Sequence, residues 1–147
     1  VEIMPTAMER IQAIMRGEVK VPIQQLIGFS VVAAEPGRVT IELAADERFA
    51  NPMGSLHGGV LCDIADAAMG LAYASRLQEG ESFTTLELKM NFLKPVWRAR
   101  LRAVGSVTKM GRTVGLVECD ILDESGTLVA KSSSTCLTLR GEAAAGR

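Results

Sequence analysis

Asn51-Pro52-Met53-Gly54-Ser55-Leu56-His57-Gly58-Gly59-Val60-Leu61-Cys62-Asp63-Ile64-Ala65-Asp66 is the stretch on which the reading of this chain turns. It opens with turn formers, passes through His-Gly-Gly, and enters a segment whose apolar residues recur at helical spacing. Leu61, Ile64, Ala65, Ala68, Leu71 and Ala72 form one continuous stripe, and most other positions, including Ala67, Gly70 and Ala74, are small. The pattern predicts a helix over about 58–77, roughly 30 Å long at 1.5 Å per residue. A helix so poor in charge packs against neighbours on most of its sides.

Two carboxylates interrupt that helix. Asp63 lies near its start, where the positive end of the helix dipole favours an anion, so it has a structural reason to be there. Asp66 is more than two turns in and has no such reason; an acid at that depth must be hydrogen-bonded, paired or functional. Both share a face with Gly59, Cys62, Met69, Gly70 and Tyr73, and the glycines leave that face low enough for a ligand or a second helix. Met69 and Tyr73 are therefore expected in the pocket wall. At the helix mouth, His57-Gly58-Gly59 brings backbone N–H groups to a place a ligand can reach, where about half a unit of positive charge stabilises an oxyanion. Alone, His-Gly-Gly is a plain tight turn.

Outward from the helix, 38–45 and 86–92 alternate apolar and polar residues as half-buried strands do. Further strands are expected over 29–35, 100–109, 113–122 and 128–139. The connectors Pro36-Gly37, Met110-Gly111-Arg112 and Asp123-Glu124-Ser125-Gly126 have turn chemistry. The order is helix, two strands, one long helix, then four hairpin-linked strands. That is an α+β fold with an antiparallel sheet wrapped around a single central helix. One domain is expected over 1–147, with an N-terminal helix over about 5–16, a core over about 26–139 and a frayed tail over 141–147.

The bulk properties narrow the function. Sixteen basic and seventeen acidic residues give a net charge of −1, so no global field recruits nucleic acid or anionic membrane. Neither a signal peptide nor a membrane-spanning run is expected. Cys62, Cys119 and Cys136 stand far apart without a CxxC pair, which reads as reduced thiols in a cytoplasmic protein. His57 is the sole histidine, which works against histidine-dependent triads and histidine-rich metal sites, and no metal is expected.

Asn51-x5-His57-Gly58-Gly59, an acid nine residues after the His, and the strand Glu87-Leu88-Lys89-Met90-Asn91-Phe92-Leu93-Lys94-Pro95 together resemble the hotdog-fold acyl-CoA thioesterases. The branch is the PaaI-like one of the phenylacetate pathway, related to the 4-hydroxybenzoyl-CoA thioesterases. The resemblance covers roughly 26–139. It implies a hotdog fold and a thioester hydrolase with Asp66 as nucleophile or general base and the Gly58 N–H polarising the thioester carbonyl. It further implies that Asn51 and His57 shape the pocket and that Thr85 orients water. Lys109, Gly111, Arg112 and Thr113, a basic hairpin tip, match the coenzyme A region. Gly59, Met69 and Tyr73 would join them in binding substrate. Coenzyme A is then part of the substrate and no cofactor is needed. The resemblance also implies active sites shared across a homodimer, commonly within a homotetramer. Gly70 departs from relatives that carry a hydroxyl side chain one turn after the acid.

Thioester chemistry suits such a site. The thiolate leaves well, so a positioned carboxylate and an oxyanion donor suffice without a metal. Two other readings fit a hotdog domain: a non-catalytic acyl-CoA-binding module, and a hydratase or dehydratase. The first usually needs a second, DNA-reading domain, and the second an acid–base pair that typically includes histidine.

Overall fold

Thr6 and Glu9 start the first helix, α1 (Ala7–Met15), through a reciprocal capping box: the Glu9 N–H donates to Thr6 Oγ1 and the Thr6 N–H to Glu9 Oε2. Pro22 opens α2 (Pro22–Ile27), and Gly28 closes it in the left-handed conformation, at φ 87°. These details come from a computed structural model that describes residues 5–147; the first four positions of the domain expected over 1–147 lie outside it. The central helix α3 spans Gly58–Ala74. Six strands complete the chain: β1 (Ser30–Glu35), β2 (Arg38–Ala45), β3 (Ser82–Phe92), β4 (Ala99–Met110), β5 (Val114–Leu122) and β6 (Leu128–Leu139). Among the described residues no helix is long and apolar enough to cross a membrane.

The strands form one antiparallel sheet in the order β1-β2-β4-β5-β6-β3, curled over α3. The helix meets β4, β2 and β5 most closely. Its nearest approach is at Gly105, where a Cβ would lie 2.5 Å from the Ala68 backbone, so only glycine fits beneath the helix. The inward residues of β2, β4, β5 and β6, including Ile41, Leu43, Leu101, Val117, Ile121 and Val129, are fully buried against Ile64, Ala65, Ala68 and Ala72. This is the hotdog arrangement, and the helical stripe is its core face.

Two expectations change. The helix ends at Ala74, because the Ser75 hydroxyl turns back to the Ala72 carbonyl and also accepts the Gly37 N–H. The last four strands are not a run of hairpins: β3 lies at the sheet edge beside β6, while β4 pairs with β2. Residues 93–98, with Pro95, carry the chain from one to the other, anchored where Leu93 and Lys94 N–H groups donate to the Val129 carbonyl and the Leu56 N–H donates to Val96. Trp97, in the same connector, is 59% exposed.

Candidate active site

The helix mouth is built by side chains that bond locally. Asn51 Oδ1 accepts the backbone N–H groups of Met53 and Ser55, and its Nδ2 donates to Ser55 Oγ. Most of this amide is thus used to hold the 51–55 turn, leaving one Nδ2 hydrogen free for anything else. His57 is the N-cap, and its Nδ1 accepts the Gly59 N–H at 2.9 Å. With Nδ1 accepting this bond, Nε2 is the ring nitrogen left to meet a ligand. The Gly59 amide is therefore occupied, contrary to the expected substrate contact. The Gly58 N–H stands first in the helix, where no intrahelical partner exists. Phe92 packs beside it: a Cβ at Gly58 would lie 2.8 Å from the ring. Asn51, Ser55, Gly58 and Phe92 line one open cleft.

Asp66 opens on a different pocket, of about 250 Å³, shared with Thr85, Gly70, Leu71, Phe83 and Phe29. Among the described residues its carboxylate has no hydrogen bond or ion pair. In the single protomer Asp66 is exposed to solvent, yet the packing around the inner part of its side chain still raises its pKa above the usual carboxylate value, and the neighbouring charge of Asp63 adds to the push. Thr85 is lightly held, its hydroxyl 3.9 Å from Cys136 Sγ. The Cys136 thiol is itself pushed up, chiefly by burial, which keeps it an inert neighbour. Asp63 is half-buried outside this pocket.

The two halves stand apart. Gly58 and Asp66 are separated by eight helical residues, about 12 Å along the axis at 1.5 Å per residue, so within one protomer the carboxylate and the free amide cannot act on one carbonyl. Met69 and Tyr73 do not line the Asp66 pocket. Both are fully buried, and Tyr73 runs beneath Gly115 to meet Thr138 Oγ1 at 2.6 Å. The sheet curls over this face toward the end of α3, which a straight helical projection does not convey. The tip carrying Lys109, Arg112 and Thr113 is exposed and also lies outside the pocket. The Gly111 N–H there is used by the Val114 carbonyl, so the backbone of the tip has less to offer a phosphate than its side chains do. Pocket residues the sequence did not reveal, including Val21, Ile23, Gln24 and Phe29, come from the N-terminal segment, where one short turn of helix has no readable sidedness.

Gly70 offers a test of the pocket. A Cβ there would sit 3.5 Å from Phe83 Cζ, an ordinary contact. Replacing a mid-helix glycine by alanine is worth about 0.5–1 kcal/mol. Gly70→Ala is therefore expected to raise the melting temperature while narrowing the pocket; a lower melting temperature would mean that the Phe83 contact is tighter than the geometry implies.

Comparison with known proteins agrees with this architecture. Residues 53–130 match the thioesterase superfamily. A protein of Saccharolobus solfataricus whose name makes it a candidate esterase is 34% identical, over 79% of this chain and 82% of that one. The 1,4-dihydroxy-2-naphthoyl-CoA hydrolase of Listeria monocytogenes is 28% identical over 77% of this chain and 92% of that protein. Among solved structures, a thioesterase family protein from Silicibacter pomeroyi superposes with TM-score 0.79 at 27% identity, covering 89% of this chain and 99% of that one. The PaaI protein of the E. coli phenylacetic acid degradation operon shares the fold, with TM-score 0.81 at 21% identity over 92% and 94% of the two chains. A single antiparallel sheet around one helix, with the matched segment running from the helix mouth through β5 into β6, makes this chain a member of the thioesterase superfamily, a hotdog-fold thioester hydrolase.

Proposed function

We propose that the protein hydrolyses an acyl-coenzyme A thioester to the free acid and coenzyme A, with Asp66 as general base in a site completed by a second copy of the chain. The observation that carries this is the unpaired Asp66 carboxylate with its raised pKa, at an apolar pocket that it shares with the lightly held Thr85 hydroxyl. In the proposed reaction Asp66 takes a proton from a water held by Thr85. The water oxygen bonds to the carbonyl carbon, and the oxyanion forms against the Gly58 N–H. Collapse breaks the C–S bond, and the leaving thiolate takes up the proton that Asp66 removed from the water, which returns the carboxylate to its starting form. A carboxylate nucleophile would do the first step directly, but the lightly held threonine hydroxyl favours the water route. Lys109 and Arg112, exposed on the β4–β5 tip with Thr113, would meet the phosphates of coenzyme A. The names of the Listeria relative and of human acyl-coenzyme A thioesterase 13, 24% identical over 72% of this chain, support the substrate class.

The second copy is argued from the sheet edge. β3 is eleven residues long, and its neighbourhood leaves Leu86, Phe92, Leu93 and Trp97 more than half exposed. A long apolar edge strand is an open pairing template that proteins do not leave bare. Joining β3 to β3 would bring the two α3 helices side by side, so that Asp66 of one protomer can face the Gly58 amide of the other. Val114 and Leu116, exposed on the outer face of β5, support further pairing into a tetramer.

The test is release of free thiol from aromatic and medium-chain acyl-CoAs. Because the base must be ionised, kcat/KM should fall as pH drops through the raised Asp66 pKa, with that limb above the range of an ordinary carboxylate. A rate flat across that range, or no turnover of any acyl-CoA, would remove Asp66 or the activity from the reading.

A further inference from the structure

Two hydrophobic side chains stand out from the rest of the surface. Met53 is 84% exposed and Leu26 78%, while no other large hydrophobic among the described residues exceeds 59%. Exposed hydrophobics scattered singly are normal and need no explanation. These two are not scattered, because each adjoins one half of the active site. Leu26 lies three residues after Ile23 on α2, a spacing that puts both on one face of the helix. Ile23, itself 48% exposed, lines the Asp66 pocket. Met53 lies in the middle of the 51–55 turn, its N–H held by Asn51 Oδ1, and Asn51 lines the cleft of the Gly58 amide.

α2 also has little support within its own chain. It is six residues long, begins without a side-chain cap, and contains no fully buried residue. A helix so short is marginal by itself and is held by packing. Ile27 packs against the core, but the face that carries Ile23 and Leu26 stays exposed.

We propose that the Ile23–Leu26 face of α2 in one copy clasps the 51–55 turn of a second copy, with Met53 seated against Leu26. This rests on the shared site proposed above. A two-fold axis that sets Asp66 of one protomer against the Gly58 amide of the other carries the turn before that amide toward the rim of the Asp66 pocket, where α2 sits. By symmetry the contact forms twice in each dimer. It covers both outlying side chains and ties the N-terminal segment of one chain to the turn that precedes the oxyanion donor of the other. Methionine suits the role, because its unbranched side chain adapts to an irregular apolar surface.

Cross-linking between copies tests the contact independently of turnover. Leu26→Cys and Met53→Cys are prepared separately in a Cys62→Ser background, since Cys119 and Cys136 are buried and out of reach. Both replaced side chains are exposed, so both variants should fold. After partial unfolding and refolding of an equal mixture, a short bismaleimide should join the two kinds of chain far more than it joins either kind to itself, as read by mass. In a dilution series Leu26→Glu and Met53→Glu should each weaken the dimer by about tenfold or more, because a carboxylate replaces an apolar contact at both copies of the clasp. Combining Leu26→Lys with Met53→Glu in one chain should recover part of that loss. If mixed dimers form but are not cross-linked, or if neither glutamate weakens the dimer, the clasp is overturned and the shared-site hydrolase reading stands. A wild type that is monomeric at every concentration removes the clasp and the shared site together, and thiol release from acyl-CoA then shows whether hydrolysis survives without them.

Discussion

Asp66→Asn is expected to lower kcat on any acyl-CoA substrate by about a thousandfold, the middle of the range for loss of a positioned general base. Asparagine keeps the size of the side chain and removes the basic oxygen, and no hydrogen bond or ion pair is broken among the described residues. The fold should therefore survive, and the sign of the pKa shift says more. Burial raises the Asp66 pKa because it disfavours the charged form. The folded protein then holds the proton at pH values where the unfolded chain has lost it, so this carboxylate lowers stability as pH rises through the interval between the two pKa values. Asp66→Asn should match or exceed wild type in melting temperature at neutral pH, with the difference closing as pH falls below the ordinary carboxylate range. Asp63→Asn is the comparison. It lies outside the pocket and should retain most activity, and removing its charge should move the acidic limb of the pH profile downward, because Asp63 helps to raise Asp66. A fall in activity with Asp63→Asn as deep as with Asp66→Asn would mean that the wrong acid, or only one of two, had been identified.

How far these roles could be read beforehand depended on whether they were local. The α3 stripe is a one-dimensional pattern, and Ile64, Ala65, Ala68 and Ala72 are each fully buried as their spacing predicts. Asp66 stood out because charge is rare on that helix, and among the described residues its carboxylate has no partner. Legibility ended where partners came from distant sequence. Tyr73 lies nearly in line with Asp66 on a helical projection, yet it is buried where Gly115 of β5 and Thr138 of β6 cross it. The position of β3 beside β6 is set by pairing across 38 residues or more, and no local signal carries it. Asn51 was legible as a polar residue in a turn, but not the degree to which its own turn occupies it. Gln24 was invisible for the same reason as Tyr73: a pocket is made by convergence, and a six-residue helix shows too little periodicity to say which side converges.

Two inactive variants should restore activity when mixed. Gly58→Pro removes the one amide hydrogen that the proposed oxyanion site needs, at a position where proline is otherwise welcome. The first turn of a helix favours it, and His57, at φ −65° and ψ 129°, already has the extended conformation that must precede it. The His57 Nδ1 bond to Gly59 is untouched. The added Cβ meets only the outer edge of Phe92, which is 57% exposed and free to swing aside. Loss of one oxyanion donor should lower kcat by about a hundredfold to a thousandfold. Gly58→Ala, which adds the same Cβ but keeps the N–H, should remain active, and the contrast assigns the loss to the amide. Within one protomer this amide and Asp66 are about 12 Å apart along the helix, so a site that uses both must draw them from different copies. After exchange of subunits between Gly58→Pro and Asp66→Asn, about half of the dimers are mixed and each mixed dimer keeps one intact site, so about a quarter of wild-type activity should return. The check is to partially unfold and refold an equal mixture, confirm mixed dimers by mass, and assay thiol release beside each variant alone. Recovery near a quarter requires a site shared between copies. A mixture that contains mixed dimers yet stays as inactive as its components would require both groups to act within one chain, which the helix does not permit, and the Gly58 amide would lose its place in the site.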